Sequence, residues 1–434
     1  MSRPGSRRRS HGVRNRIASW RDHAAALLFL IALLVGGGAG MGYPLVELSA
    51  QLLALALIVR AVRPGMIPSV TDTSAIETGA RGFRGARLHA AGLEGFLLVF
   101  AAAALLAILQ MIPLPTAWWH GLPDRATALQ IFSLLGWADR WHAFSLTPDG
   151  TLIALLALLV PVAAMLTVVS LRLSDRVMLL RLIVGGAVIG TVFATLQVAA
   201  GISGAPILYE TAHRGYGVGF FVNRNHQATL LLVAIVFAAV PGVMGAGATR
   251  RLATLATIAF LSLGILATSS RTALLLLPFA LIVAGSLVGG VRRTGKRLLG
   301  VAAFYVVAGV LVSRTDLFQR VFDRFSTVAE ELRYQYWENS LYVVRETFPF
   351  GTGFGSFERV YRTVEPLGQV SPLSVNHAHN EVLELLLEGG LPALVLMLIG
   401  LLVLIAALRS GWRAARERQD RAILVAGGAA ILLI

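Results

Sequence analysis

Apolar residues run through this chain in blocks separated by short polar joints. The blocks fall at about 24–40, 45–62, 95–112, 151–171, 179–201, 228–245, 252–268, 272–289, 298–313, 391–408 and 422–434. Most are close to the roughly 20 residues that a helix needs to cross the hydrocarbon of a bilayer. The pattern predicts an all-α, polytopic membrane protein of about 11–12 transmembrane helices. Its expected layout is a basic tail at 1–23, helices one to nine over 24–313, a large helical loop at 314–390, and helices ten and eleven over 391–434. The last block has only 13 residues, so either the final helix is short or the sequence is cut from a longer one.

Composition agrees with the pattern. Hydrophobic residues make up 56 % of the chain and charged residues 14 %, with a mean hydropathy of +0.72. An ordinary soluble domain carries about 25 % charged residues. Cysteine is absent, which removes disulfides, thiolate nucleophiles and Cys-ligated metal from consideration. The net charge of +15 raises the question of nucleic acid, but topology accounts for it. With the N-terminus in the cytoplasm, the inner segments hold 26 of the 38 Lys and Arg residues, and seven of the remaining 12 sit in 314–390. The short outer loops are then nearly free of positive charge, as the positive-inside rule requires, and no nucleic-acid partner is needed. Under this orientation the tail "RPGSRRRSHGVRNR" precedes an uncleaved first membrane helix rather than a signal peptide.

Three outer segments are long enough to matter. The first carries Trp118, Trp119, Trp137 and Trp141 and reads as an amphipathic surface helix anchored at the headgroup layer. The second ends in Asn223, Arg224, Asn225 and His226 at the start of an apolar block. The third, 314–390, holds 11 of the 23 acidic residues and is the one region able to form a solvated, folded cap.

Candidate chemistry collects in and beside that cap. In "VNHAHNEVLELLLEGG" (375–390), Glu381, Glu384 and Glu388 fall on one helical face and Leu383, Leu386 and Leu387 on another. Asn376 or Asn380 is suited to the N-cap, Gly389-Gly390 to the stop, and Pro392 to the first turn of the next helix. His379 therefore stands near a helix N-terminus, where the dipole disfavours imidazolium and attracts anions. Two roles fit it: a neutral general base, or a hydrogen-bonding member of the cap. His377, His379 and Glu381 would share a face only in an extended chain, and helical geometry scatters them, so no metal site is expected. "GTGFGSF" (351–357) has Ser356 where a dinucleotide fingerprint wants its third glycine and no following Lys-Ser or Lys-Thr; it reads as a turn after Pro349. Arg271 is the only charge between Arg251 and Arg292 and stands at the outer boundary of two helices joined almost without a loop. It is either a functional site or a side chain snorkelling to the headgroups. Arg224 and Arg333 add two outer guanidinium groups, the group best shaped to clamp phosphate.

"NRNH", "SRTALLLL", "RYQYWENSL…FPFGTGFGSF" and "HAHNEVLELLLEGGLPALVL" occur in this order over residues 223–408, and there the chain resembles the O-antigen ligase and polymerase superfamily of bacterial envelope enzymes. The resemblance implies a GT-C-like helical enzyme of the bacterial inner membrane with its active site facing the periplasm. It implies a donor glycan on undecaprenyl diphosphate and an acceptor hydroxyl on lipid A-core or a growing glycan. His379, followed by Asn380 and Glu381, matches the proposed base; Arg271, Arg333 (spaced to Trp337) and Arg224 match residues that engage the lipid-linked substrate. No cofactor or metal is implied. Ligase, polymerase and, from another class, a lipid-linked glycan transporter are the readings to be separated.

Overall fold

A computed structural model describes residues 44–62, 82–171, 173–204, 207–209, 212–245, 247–289, 329–370 and 374–434. The described residues are 76 % helical with almost no strand. The main helices are α1 (Pro44–Ala61), α2 (Gly82–Met111), α3 (Thr116–His120), α4 (Ala126–Leu134), α5 (Pro148–Ala157), α6 (Leu159–Ser170) and α7 (Leu173–Ala199). They continue as α8 (Arg224–Ala238), α9 (Ala248–Thr268), α10 (Arg271–Gly289), α11 (Ala329–Thr347), α12 (Phe357–Val364), α13 (Glu381–Ala414) and α14 (Arg418–Leu433). Two-residue strands, β1 (Pro113–Leu114) and β2 (His142–Ala143), pair antiparallel.

Among the described residues, six helical stretches are long and apolar enough to cross a membrane: Gly92–Met111, Pro148–Ser170, Asp175–Ala199, Ala248–Thr268, Arg271–Gly289 and Glu381–Ala414. This is a multi-pass, all-α membrane protein. The apolar blocks at 24–40 and 298–313 lie outside the described residues. Two expected blocks form shorter helices than their apolar lengths imply. The block at 228–245 is helical only to Ala238, because Pro241 cannot continue a helix and Gly242 follows at φ 91. The block at 151–171 is broken at Leu158, since the ring of Pro161 conflicts with the carbonyl four residues earlier.

The described residues form two compact units. One draws on the stretches Met1–Asp72, Ala163–Ser326 and Gly411–Ile434, the other on Thr73–Val162 and Thr327–Ser410. In the first, α8 is the central post. Leu231, Ile235 and Val236 are wholly buried, and α7, α9, α10 and α14 pack around it. A helix apolar on every side is stable only where other helices cover it. The surrounding helices approach closely through small residues: a Cβ at Gly264 of α9 would lie 2.5 Å from the Thr191 methyl of α7.

In the second unit α2 packs on α5 and along α13, with Gly92, Gly95 and Gly400 at the α2–α13 seam. A separate small core lies under the cap: Val343, Val344, Phe357, Val360, Tyr361, Val375, Ala378 and Leu387. Among the described residues, 343–387 therefore carry a core of their own. The surface helix expected around the tryptophans is instead two short helices, α3 and α4, closed off by the β1–β2 pair. Pro113, Pro115, Gly121 and Pro123 interrupt any longer helix. Trp119 is not an interfacial anchor: it is 1 % exposed, donates Nε1–H to the Ala143 carbonyl at 2.9 Å, and packs against Arg125. Trp118, Trp137 and Trp141 remain exposed.

Candidate active site

The sequence 375–390 folds around its own polar groups. Asn380 is the N-cap of α13, its Oδ1 accepting from Leu383 N at 3.2 Å. Glu384, one turn into the helix, turns back over the preceding loop. Its Oε2 accepts from Ala378 N at 2.9 Å and its Oε1 pairs with His377 Nδ1 at 2.8 Å. On the other side of the same residue, Trp337 of α11 donates Nε1–H to the Ala378 carbonyl at 2.9 Å. Both backbone groups of a fully buried alanine are thus held by side chains from two helices.

His379 follows directly, exposed and at φ 52. Left-handed backbone is uncommon for a residue with a side chain, although histidine visits it more readily than most. A residue so placed persists where its surroundings over-determine it, which the flanking clamps and the Asn380 cap do here. The left-handed turn also breaks the extended run in which His377, His379 and Glu381 would have shared a face. Glu381, exposed in the first turn of α13, adds negative field near His377. The hydrogen bond with Glu384 raises the His377 pKa above its ordinary value, against the opposing effect of burial.

The glycine-rich loop after Pro349 supports this helix from behind. Thr352 N and Gly353 N donate to the carbonyls of Leu387 and Glu388 at 2.9 and 2.8 Å, and Leu391 N donates back to Pro349 O at 2.8 Å. Phe354 N donates to Gln110 Oε1 at 3.0 Å and Phe357 N to Glu388 Oε1 at 3.0 Å. These N–H groups are spent inside the protein and are not presented to a phosphate, so the loop is a structural joint. Gly389 and Gly390 mark its far side: the backbone turns at Gly390 (φ 60, ψ −155), splitting α13 into a short cap helix and the apolar helix that Pro392 begins.

Arg333 lies on α11 one turn before Trp337; the described side chains of α11 begin at Tyr334. The other two arginines belong to the first unit, where they open neighbouring helices. Arg224 is the first residue of α8, after an Asn223 N-cap that accepts from Asn225 N. Its guanidinium carbon stands 4.4 Å from the Tyr216 ring centroid, and its Nε and Nη1 have no hydrogen-bond partner among the described residues. Arg271 opens α10, separated from the end of α9 by Ser269, in left-handed backbone, and Ser270. Gly217 N donates to Ala267 O at 2.9 Å, which ties the Tyr216 loop to the end of α9. The "NRNH" and "SSRT" segments are thereby brought to the same end of one helical bundle.

Sequence reasoning missed several residues that organise these groups. Glu384 was legible only as part of an acidic face, because its partner, the Ala378 amide, is a backbone group that no spacing reveals. Gln110 acts over a long sequence separation, meeting Phe354 and Glu388. Gln227 is wholly buried between Gly190 and Gly219, with neither amide atom hydrogen-bonded among the described residues; only its place one turn after Asn223 marked it.

The fold and these sites define a polytopic membrane protein with an exposed histidine and arginines presented at helix starts. Residues 256–398 match the family model described as O-antigen ligase, which supports assigning the chain to the O-antigen ligase and polymerase superfamily. The matched span includes Arg271, Arg333, Trp337, His379, Asn380 and Glu381; Arg224 precedes it. No curated protein matches the sequence. At family level the match supports glycosyl transfer of the O-antigen ligase or polymerase type, and the family implies lipid-linked glycan substrates and a membrane environment.

Proposed function

We propose that this protein transfers a glycan from undecaprenyl diphosphate to an acceptor hydroxyl at the periplasmic face of the bacterial inner membrane, in the manner of an O-antigen ligase. The observation that carries the proposal is the placement of His379: exposed, at the mouth of a helix, and clamped through Ala378 by Trp337 and Glu384. A histidine held in this way can receive a proton without losing its orientation.

The reaction is a single displacement. His379 takes the proton of the acceptor hydroxyl as its oxygen bonds to the anomeric carbon. The bond from that carbon to the diphosphate oxygen breaks, and undecaprenyl diphosphate leaves with the electron pair. Attack from the face opposite the leaving group inverts the anomeric configuration. By the family resemblance, Arg224, Arg271 and Arg333 stabilise the charge that collects on the diphosphate. Asn380 and Trp337 hold the base in register, and Glu381 disfavours a second anion beside it. Against the transporter reading, the topology read from the sequence puts Arg224 and Arg271 at the outer edge of the membrane, whereas a transporter site is built near the bilayer midplane.

Purified protein supplied with a lipid-linked glycan donor and acceptor tests the proposal. His379→Ala should slow transfer by roughly 10²–10⁴-fold, the usual size of a general-base contribution. His379→Gly serves as the folding control, since glycine adopts this backbone without strain. Transfer at the native rate by either well-folded variant removes His379 from the chemistry. Transfer should also persist after EDTA treatment; strict dependence on re-added magnesium or manganese would overturn the metal-free mechanism.

A further inference from the structure

Beside the His379 loop runs an open groove of about 520 Å³, lined by Trp337, Glu338, Leu341, Tyr342, Arg345 and Leu383. Five of the six belong to one face of α11, at helical spacing. The opposite face of that helix, with Ser340, Val343, Val344 and Thr347, is buried in the cap. The groove face is open: Leu341 is 41 % exposed and Tyr342 56 % exposed. A solvated helix would ordinarily carry small polar residues there rather than a leucine, a tyrosine and a tryptophan flanked by one carboxylate and one guanidinium.

The groove also has a fixed end. Trp337 forms one wall and spends its Nε1–H on the carbonyl of Ala378, the residue before His379. Leu383, in the opposite wall, is one turn along the chain from His379. A molecule lying in the groove therefore ends beside the proposed base.

We infer that this groove binds the sugar portion of the acceptor, a subsite distinct from the arginines that meet the diphosphate; the inference rests on the function proposed above. A pyranose ring offers an apolar face of C–H groups and a rim of hydroxyls. Trp337, Tyr342 and the leucines match the face, and Glu338 and Arg345 match the rim, one accepting hydrogen bonds and the other donating them. An acyl chain would satisfy the leucines but would strip water from the carboxylate and the guanidinium without replacing it, which is costly. The mixture of groups selects a glycan over a lipid tail.

The test uses full-length protein in nanodiscs with two lipid-free probes: core oligosaccharide released from lipopolysaccharide by mild acid, and the repeat-unit oligosaccharide. Saturation-transfer NMR should show binding of at least one of them. Tyr342→Ala and Arg345→Ala, both at exposed positions and so tolerable to the fold, should each weaken that binding. Each should also raise the acceptor KM roughly tenfold, as for one lost stacking or hydrogen-bonding contact, with the donor KM unchanged. If wild-type protein binds neither oligosaccharide, or both variants keep the native acceptor KM while wild-type protein transfers glycan, the groove assignment falls and the proposed function stands. If wild-type protein transfers no glycan from the lipid-linked donor, the proposed function itself falls, and the groove assignment with it.

Discussion

The backbone of His379 sits at φ 52, a conformation that costs a residue with a side chain on the order of 1–3 kcal/mol. That cost is offset next door, where Trp337 and Glu384 take both backbone groups of Ala378. Trp337→Phe keeps an aromatic ring but leaves a partly buried carbonyl without its donor, a loss of roughly 1–3 kcal/mol. Because Trp337 acts here through Ala378 and His379, the variant should lower kcat more than it changes the donor KM, and its thermal midpoint should fall. An unchanged kcat with the expected loss of stability would reduce this hydrogen bond to scaffolding. The His377–Glu384 pair has a pH signature of its own. Its hydrogen bond raises the folded pKa of His377 above the unfolded value of about 6.5. The stabilisation is therefore complete below that unfolded value and is lost as pH rises through the higher folded one. Amide protection factors over 375–380 should decrease across that window in the native protein, and Glu384→Gln should flatten the decrease. A decrease of the same size in Glu384→Gln would mean that His377 titrates without this partner.

At the scale of elements, the joint between the glycine loop and α13 decides where His379 can stand. Gly353 is at φ 106, and a Cβ there would lie 2.1 Å from Ser145 Oγ; one at Gly390 would lie 2.2 Å from the Pro349 carbonyl. Gly353→Ala combines overpacking with a strained backbone and should destabilise the unit by roughly 3 kcal/mol, as measured by thermal or proteolytic unfolding. A neutral outcome would mean that the loop can move aside and does not position the helix. Much of this was readable beforehand. The Asn380 cap, the Gly389-Gly390 stop and Pro392 at the head of the next helix follow from local backbone rules, and these rules hold wherever the flanking residues do not conflict with them. What could not be read was tertiary. Period and composition in the tryptophan segment favour a surface helix, but its prolines break it and a buried partner, Arg125, draws Trp119 inward. The role of Glu384 was hidden for a related reason, since hydrogen bonds to backbone groups leave no mark on side-chain spacing.

At the scale of the whole molecule, the remaining choice is between ligase and polymerase, and it turns on the acceptor. Both enzymes would use the same base and the same charge stabilisation, so no single residue separates them. A ligase must admit a second lipid, lipid A-core, from the outer leaflet, whereas a polymerase joins two glycans that are both on undecaprenyl diphosphate. Trp118, Trp137 and Trp141 are exposed, as expected where a protein surface meets headgroups; they fit an interfacial entrance for a second lipid and would serve either enzyme as a plain anchor. Deleting the gene and resolving envelope glycolipids on a gel gives the answer. Loss of a ligase leaves lipid A-core without its glycan while long lipid-linked chains accumulate, because polymerisation continues upstream of the blocked transfer. If single repeat units are still attached to lipid A-core, or if only a secreted polysaccharide disappears, attachment is intact and chain growth has failed. The ligase reading is then wrong, and the same histidine and arginines belong to a polymerase.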